Sequence, residues 1–318
     1  YLKSIPQDEQ RTAGWYIFRN KLITASAAWK VFKSESCVNQ LIYEKCKPLG
    51  ISITSALSIS EMDDMDDVEK KKEQIIVEKG RAIGVKINSR QIDCDIVLSS
   101  ADYHHTEAKL LEEKYRNYTE KYWASRVFAP SSILFYLGFN RKIDKLIHHN
   151  LFFDTDYEAH GADIYQNPQW TKEPLFYVCC PSKTDETVAP QGCENLFILI
   201  PHAIQLEKSE EQLDSYYENV MNRIELYCGE DLRSSLIYKK EYTAKNFIED
   251  YNSYKGNAYG LANTLLQTAF LKPKIRSKKV SNLFYTGQLT VPGPGVPPAI
   301  ISGKIVAKEI HSYFQSKY

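Results

Sequence analysis

The sequence lacks an excess of charge of either sign: 40 lysine and arginine residues balance 40 aspartate and glutamate residues in a chain of 318. Nucleic-acid-binding domains usually carry a basic patch, so this balance gives no electrostatic case for binding DNA or RNA. No apolar run approaches the roughly 20 residues of a membrane-spanning helix. The chain starts at Tyr1 without a charged-then-apolar signal pattern, and we interpret this start as a fragment boundary, with a processed end as the alternative.

Cysteine is present, but in an arrangement that argues against two common roles. The seven cysteines are odd in number and include no C-x-x-C pair, so neither a disulfide framework nor a zinc site is predicted. Reduced, structural thiols in a cytosolic setting are expected instead. Adjacent histidines on a strand, such as His104 with His105 or His148 with His149, point to opposite faces, and no cysteine or carboxylate cluster has ligand spacing around them. We therefore predict no metal site.

Local signals predict a hairpin in the first half of the chain. Residues 74–78 and 82–87 read as strands on either side of a turn at residues 79–80. A third strand over residues 94–98 is predicted to lead through a turn of small residues into a helix over residues 105–113. A strand that runs into such a turn and then a helix is how α/β sheets present ligand-facing loops.

The middle of the chain is rich in predicted strands. Short apolar runs over residues 133–139, 175–180 and 196–200 are bounded by proline, glycine or asparagine. A helix is predicted over residues 209–228 because apolar residues recur at spacings of three and four, and Gly229 is a plausible end. The residues of that apolar stripe are Leu213, Tyr217, Val220 and Ile224.

The last element carries the strongest local signal for a ligand site. Residues 282–286 form a predicted strand, residues 287–298 (GQLTVPGPGVPP) a loop, and residues 298–314 a helix. Glycine lets the backbone approach a ligand closely, and a helix N-terminus offers unpaired N–H groups with a partial positive charge. Val296 and the residues after Pro298 are the candidate donors, because proline has no N–H. From the residues alone, a plain strand-to-helix connection stays an equal alternative. The predicted buried face of the helix comprises Ile300, Gly303, Ala307, Ile310 and Phe314.

Four ordered segments carry the most specific pattern in the sequence. They are DIVLSSADYHHTEAKLLEEKY (95–115), FYVCCPSKTDETVAPQGCENLFILIP (176–201), DYNSYKGNAYGLANTLLQTAFLKP (250–273) and the terminal NLFYTGQLTVPGPGVPPAIISGKIVAKEI. The terminal segment is similar to the closing FAD motif of bacterial carotenoid desaturases, in which a strand ends in glycine and a P-G-x-G-[VI]-P turn leads into the last helix. In this order the segments cover most of residues 75–310, and the chain resembles the C-terminal portion of the phytoene desaturase family.

The resemblance implies an α/β fold. An FAD-binding, Rossmann-like core of the amine-oxidase type would be present in part, with a sheet-and-helix substrate domain inserted. Residues 1–73, which are poorly readable, would belong to the FAD or substrate domain, and residues 74–115 would supply strands and a helix of the FAD domain. Residues 116–275 would form the substrate-binding domain, and residues 276–318 the C-terminal FAD-binding strand, loop and helix.

The resemblance also implies which residues hold the cofactor. Gly287 would lie near the pyrophosphate and ribityl chain of FAD, whereas Gly295 and Val296 would lie near the flavin ring. Ser100, Ala101 and Asp102 match the turn that follows a strand in the family, and this turn would face the cofactor as well. No catalytic side chain is implied, because the flavin carries the chemistry. The implied cofactor-binding residues are Gly287, Gly293, Gly295, Val296, Ser100, Ala101 and Asp102.

The activity that the resemblance implies is removal of hydrogen from a long polyene such as phytoene, with hydride passing to flavin N5. A water-insoluble polyene should be drawn from the bilayer, so a cytoplasmic protein in peripheral contact with the membrane surface is expected. Two alternatives stay open: a carotenoid isomerase or retinol-saturase-like flavoprotein, and a non-catalytic fragment that no longer binds FAD. Members of the family begin with a G-x-G-x-x-G that holds the FAD diphosphate, whereas the one G-x-G of this sequence is residues 293–295.

Overall fold

The computed structural model describes residues 73–87, 90–206 and 209–315. They contain both helices and strands, which confirms the α/β class, and they divide into two compact units. One unit comprises the described residues up to Val127 together with those from Tyr259 onward, and the other is Phe128–Ala258. Residues 1–72 of the predicted N-terminal region lie outside the described residues.

The described helices and strands follow one another in a fixed order. They are β1 (Glu73–Glu78), β2 (Arg81–Ile87), β3 (Arg90–Asp93), β4 (Val97–Ser99), α1 (Tyr103–Leu110), α2 (Glu120–Ala124), β5 (Ser131–Phe139), β6 (His149–Phe152), α3 (Tyr157–Tyr165), β7 (Phe176–Cys179), β8 (Glu194–His202), α4 (Glu210–Cys228), β9 (Leu236–Tyr242), α5 (Ala244–Tyr251), β10 (Leu283–Tyr285) and α6 (Val296–Gln315). Short 3₁₀ turns lie at Glu113–Tyr115, Pro181–Lys183, Glu186–Val188, Arg233–Ser235, Tyr254–Gly256 and Ala269–Leu271.

The first unit contains two small sheets. Strands β1, β2 and β3 form an antiparallel sheet, whose β1–β2 pair is the predicted hairpin with its turn at Lys79 and Gly80. Strand β4 pairs in parallel with β10 in a second sheet. The prediction of one strand over residues 94–98 was wrong, because the chain leaves the first sheet after Cys94, whose N–H still bonds to Ile83 O at 3.0 Å, and joins the second sheet at β4.

A buried asparagine links the two sheets of this unit. The side chain of Asn282 accepts a hydrogen bond from Ala82 N at 2.7 Å and donates to the carbonyl oxygens of Ala82 and Asp95 at 2.7 and 2.6 Å. Both amide hydrogens and one lone pair of the amide oxygen therefore bond to main-chain groups, which satisfies buried groups that would otherwise cost free energy. This contact fixes β10 against the hairpin just before the glycine-rich loop begins.

Helix α6 packs on β10 through one apolar face. Phe284 of β10 joins Val306, Ile310 and residues near the end of the helix in one buried cluster. The predicted face was wrong at Ile300, Gly303 and Ala307, which are only half-buried, and right at Ile310 and Phe314. The buried residues of α6 are Ala299, Ser302, Val306, Ile310, Tyr313 and Phe314.

The second unit is built on a five-stranded antiparallel sheet in the order β6-β7-β8-β5-β9. Its central strands β5 and β8 are buried along most of their length, as the continuous apolar runs of the sequence predict. Helix α4 contributes its apolar stripe to the core of this sheet; Tyr217, for example, contacts Phe135 with ring centroids 5.4 Å apart. The assignment of residues 116–275 to substrate binding stays a prediction.

Helix α4 begins and ends where the sequence indicates. The side chain of Ser209 accepts a hydrogen bond from Gln212 N at 3.3 Å and caps the first turn. Gly229 adopts φ +73°, and its N–H donates to Glu225 O at 2.7 Å, which closes the last turn. Within the described ranges, no helix combines the length and apolarity needed to cross a membrane.

Candidate cofactor site

Two parallel strands deliver the predicted site residues to the same sheet edge. Ser99, the last residue of β4, lies in register with Tyr285, the last residue of β10. The N–H of Thr286 donates to Ser99 O at 3.0 Å, so the pairing continues to the point where both strands end. Ser100 and Gly287 therefore leave the sheet at neighbouring positions, which is the arrangement that parallel α/β sheets use for ligand sites.

Gly287 is locked to the first turns of α6 by Ser302. The hydroxyl of Ser302, which is fully buried, accepts a hydrogen bond from Gly287 N at 2.9 Å and donates to Ala299 O at 2.7 Å. The carbonyl oxygen of Gly287 accepts from the N–H of Thr290 at 3.0 Å. Both polar groups of Gly287 are thus used inside the protein, so Gly287 shapes the loop rather than donating to a ligand.

The rest of the loop needs glycine for conformational reasons. Gly293 and Gly295 have φ values of +134° and +108°, which side-chain-bearing residues rarely adopt. Gly295 O accepts the first bond of α6, from Ala299 N at 2.9 Å, so the prediction that the amide of Ala299 is a free donor was wrong. Because Pro297 and Pro298 have no N–H, Val296 carries the first free helical amide; no acceptor for it occurs among the described residues.

The turn after β4 serves mainly as a helix cap. The carboxylate of Asp102 accepts a hydrogen bond from His105 N at 3.1 Å at the start of α1, which explains why the helix begins at Tyr103 rather than at the predicted position 105. Ser100 and Ala101 are half-buried beside this cap. The structure places these three residues next to the strand end that leads to Gly287, while their contact with a cofactor stays a prediction.

A buried lysine that the sequence did not single out lies against the loop. Lys272 is only 2% exposed. A β-carbon placed on Gly293 would lie 3.1 Å from Cε and 3.3 Å from Nζ of Lys272, so the ammonium reaches the main chain of the loop where Gly293 has no side chain. Among the described residues, Nζ has no hydrogen-bond partner. Burial lowers the pKa of this lysine.

The strands of the site rest on a buried aromatic and carboxylate cluster. The rings of Tyr103 and Tyr285 stack with centroids 3.8 Å apart, and the hydroxyl of Tyr285 donates to the Glu107 carboxylate at 3.2 Å. Burial raises the pKa of both phenols and of Glu107. The phenols therefore stay uncharged at neutral pH, and their stacked rings support the strand ends as a rigid layer.

In the second unit, a cysteine lies beside the pair His148 and His149. His149 lies opposite Cys179 across β6 and β7, and ligand atoms of His148, His149 and Cys179 all lie within 4.8 Å of one another. The spacing of residues along the sequence does not show this proximity, since strand pairing brings together residues that are far apart in sequence. Nδ1 of His149 already bonds to the Tyr177 hydroxyl at 2.6 Å, and Nδ1 of His148 to Thr184 at 2.5 Å.

Comparison with curated proteins finds carotenoid desaturases. The chain is 39% identical over 247 residues to a carotenoid 3,4-desaturase from Haloarcula japonica, a match that covers 78% of this chain and 48% of that protein. It is 28% identical over 249 residues to a zeta-carotene-forming phytoene desaturase from Myxococcus xanthus, which covers 76% of this chain and 47% of the relative. The chain thus spans about half the length of the curated relatives it matches. No family model matches the sequence.

Comparison with solved structures gives weaker likenesses. An oxidoreductase from Methanosarcina mazei matches with a TM-score of 0.49 and 13% identity, over 96% of this chain and 74% of that one. A putative protoporphyrinogen oxidase from Exiguobacterium matches with a TM-score of 0.44 and 14% identity, over 75% of this chain and 46% of that one. The likeness in sequence is therefore the informative one: over 72–78% of its length, this chain is similar to carotenoid desaturases, which include phytoene-desaturase-type proteins.

Proposed function

We propose that the chain serves an FAD-dependent desaturation of a carotenoid precursor, with FAD held at the loop between β10 and α6. The observation that carries the proposal is the geometry of this loop. Gly293 and Gly295 adopt conformations that suit a ligand-cradling backbone, and Val296 starts a helix with its N–H free of acceptors in the described part of the chain. When bound, FAD supplies the acceptor for the hydrogens that leave the polyene.

The residues of the loop fit an electron-rich cofactor. The start of a helix of 20 residues carries a partial positive charge of about half a unit, which favours an anionic or reduced flavin. Ser302 fixes the loop from the protein side, so the cofactor meets a backbone that is already in place. The stacked rings of Tyr103 and Tyr285 are buried and give the end of β10 a rigid support. This chain would thus bind and orient the flavin.

The substrate class is proposed from the curated relatives. One acts as a carotenoid 3,4-desaturase and another as a zeta-carotene-forming phytoene desaturase. A carotenoid precursor is a long, apolar polyene, so binding it requires little more than an apolar channel and alignment with the flavin. We propose removal of hydrogen from such a precursor, with phytoene as the first to test.

The cofactor part of the proposal is tested by flavin retention. The purified chain is mixed with excess FAD and desalted, and the flavin absorbance that stays with the protein is recorded. We expect a retained flavin spectrum that is lost in Gly295→Val, because φ +108° is strained for valine. Gly192→Val is the matched control: φ is +78°, the site is open, and it lies in the other unit. Equal retention by both variants would contradict a cofactor site at the loop.

The reaction part is tested by anaerobic mixing of the flavin-loaded protein with phytoene. A desaturation transfers electrons to the flavin, so its visible absorbance should bleach as the conjugated product appears. An isomerase would change the geometry of the polyene without net bleaching, and a saturase would require flavin that is reduced beforehand. Retained flavin with neither bleaching nor desaturated product would therefore refute the desaturase reaction and leave the cofactor site intact.

We propose further that an apolar surface segment in the first unit contacts the membrane from which the polyene is drawn. Leu265, Leu266 and Phe270 are 90%, 76% and 77% exposed, an unusual concentration of large apolar side chains in water. We expect Leu266→Asp to reduce co-sedimentation with phosphatidylcholine and phosphatidylglycerol vesicles. Leu226→Asp, at a site 84% exposed in α4 of the other unit, should bind vesicles like the unmodified chain. Equal vesicle binding by the two variants would refute this surface.

A further inference from the structure

Lys272 is a buried charged side chain that has no hydrogen-bond partner in the part of the chain that the structure describes. Its residue exposure is 2%, and within the described residues Nζ makes neither a hydrogen bond nor an ion pair. The fold brings Nζ against Gly293, at the centre of the glycine-rich loop. A β-carbon on Gly293 would crowd the end of the lysine, so the absence of a side chain there keeps the ammonium next to the backbone of the loop.

An isolated buried ammonium is costly for the cofactor-free protein. The effective penalty of removing one such ion from water is several kcal/mol, and an opposite charge or a set of acceptors normally offsets it. Burial lowers the pKa of Lys272, which is the response expected of a lysine without such an offset. A methionine at this position would fill a similar volume without the penalty, so packing alone gives no reason for a lysine.

The chemistry of the surroundings indicates what the partner is. Lys272, Gly293 and the free N–H of Val296 lie in one loop-and-helix-start region, and the start of a long helix adds positive potential there. A cation beside a backbone that favours negative charge calls for an anion rather than for a neutral apolar group. FAD offers two such groups, the pyrophosphate and the N1–C2 oxygen edge of the reduced ring.

We propose that the ammonium of Lys272 is the counter-cation for an anionic group of the FAD bound at the glycine-rich loop. The inference rests on the proposed cofactor site and names a residue within it. The cost of burying the charge in the cofactor-free chain is offset when the cofactor arrives, so the lysine couples the stability of this unit to FAD binding.

The test compares Lys272→Met and Lys272→Arg with the control Lys278→Met, which removes an exposed lysine from the same segment. Two quantities are measured for each protein: the urea midpoint of unfolding without FAD, and the dissociation constant for FAD from the quenching of flavin fluorescence. We expect Lys272→Met to raise the urea midpoint and to weaken FAD binding by roughly 10- to 100-fold, as loss of a hydrogen bond to a charged group does. Lys272→Arg keeps the charge and should bind FAD more tightly than Lys272→Met.

Two further arms distinguish the anionic group. ADP carries the pyrophosphate without the flavin, so weaker ADP binding by Lys272→Met assigns the lysine to the pyrophosphate. Sulfite adds to flavin N5 and leaves negative charge at N1 and the C2 oxygen, so a weaker sulfite adduct with unchanged ADP binding assigns it to the ring. Either result supports the counter-cation role.

Three results would overturn the proposal. Equal FAD affinity of the unmodified chain and Lys272→Met would exclude a charge contact, while the cofactor site itself would stand. A lower urea midpoint for both Lys272→Met and Lys272→Arg without FAD would show that the lysine is a structural group already satisfied in the fold. No FAD binding by the unmodified chain would refute both the cofactor site and the role of Lys272 in this chain.

Discussion

Glu194 and Lys272 are charged side chains with the same exposure, 2%, in different units of the molecule. They differ in the partners that surround the charge. The carboxylate of Glu194 lies 3.3 Å from Nζ of Lys142 and 3.3 Å from Nζ of Lys183, and it accepts a hydrogen bond from the Cys180 thiol at 2.6 Å. Nζ of Lys272 has none of these contacts among the described residues. The charge of Glu194 is thus neutralised within its own unit, whereas the ammonium of Lys272 has no counter-charge among the described residues.

A buried charge that lacks a partner within the protein indicates where a ligand is expected. A buried charge with partners supports the fold, since its desolvation is offset within the protein. The cost of a buried ammonium without partners is offset either by loss of its proton or by a ligand that binds beside it. Glu107 shows that the first unit is able to satisfy a buried charge, because its carboxylate accepts from the N–H groups of Asn117 and Tyr118 at 2.8 and 3.0 Å. Lys272 differs from Glu107 in that its charged atom has no such partner among the described residues.

The largest effect is expected when the satisfied charge is broken. Glu194→Ala leaves the Cys180 thiol without its acceptor and two lysines without their carboxylate. We expect the free energy of unfolding to fall by about 3 kcal/mol, measured by urea denaturation. The control is Glu186→Ala, at an exposed position in a short turn of the same unit, for which we expect a change within about 0.5 kcal/mol. Equal effects would mean that Glu194 contributes no more than a surface charge.

A smaller effect is expected when the loop loses its internal support. Ser302→Ala removes the acceptor of the Gly287 N–H and should lower the free energy of unfolding by about 1 to 3 kcal/mol, because a buried donor is left unsatisfied. Flavin retention should weaken as well, since the loop is no longer held in place. Ser312→Ala, at an exposed position of the same helix, is the matched control and should change neither quantity. A Ser302→Ala chain that behaves like this control would contradict the clamp.

The smallest expected change in stability, at Gly161, belongs to a comparison of two glycines. Gly293→Ala forces φ +134° on alanine and crowds Lys272, and should cost about 1 to 3 kcal/mol of stability. Gly161→Ala, inside helix α3 with open space around it, should instead stabilise the chain by about 0.4 to 1 kcal/mol because alanine restricts the unfolded state. Opposite signs in thermal unfolding are the expected result. Stabilisation by both changes would show that the loop does not need its glycine.

The elements with complete local signals could be predicted from the sequence. The hairpin of β1 and β2 follows from its alternation and its Lys79-Gly80 turn, and α4 follows from its apolar stripe between Ser209 and Gly229. The start of α6 was predicted within two residues from the glycine-proline loop. These signals lie within one element, so no knowledge of distant partners is needed to read them.

The features that depend on distant partners could not be predicted in the same way. The boundary between β3 and β4 is set by which strand each one pairs with, and those partners lie in different parts of the chain. The buried face of α6 was displaced at several positions because Ser302, a polar residue, is buried to hold Gly287. A pattern based on hydrophobicity assigns a serine to the surface.

Lys272 is the clearest example of a missed site residue. It opens the basic stretch KPKIRSKK, residues 272–279, and such a run indicates a solvated surface. Its burial follows from the packing of residues 259–272 near the loop, which local pattern does not encode. The adjacent Pro273 and the apolar Leu271 are the only local hints that the chain turns inward at this point.

Amide hydrogen exchange tests directly whether the strand ends and the glycine-rich loop of the first unit hold FAD. Exchange is measured by mass spectrometry for the chain with and without saturating FAD, and peptides that cover residues 99–105 and 286–299 are compared with those from Phe128–Ala258. We expect FAD to slow exchange in the first set, including the amide of Val296, and to leave the β5 and β8 peptides unchanged. Protection confined to Phe128–Ala258, or no protection at the loop under conditions where FAD binds, would contradict it.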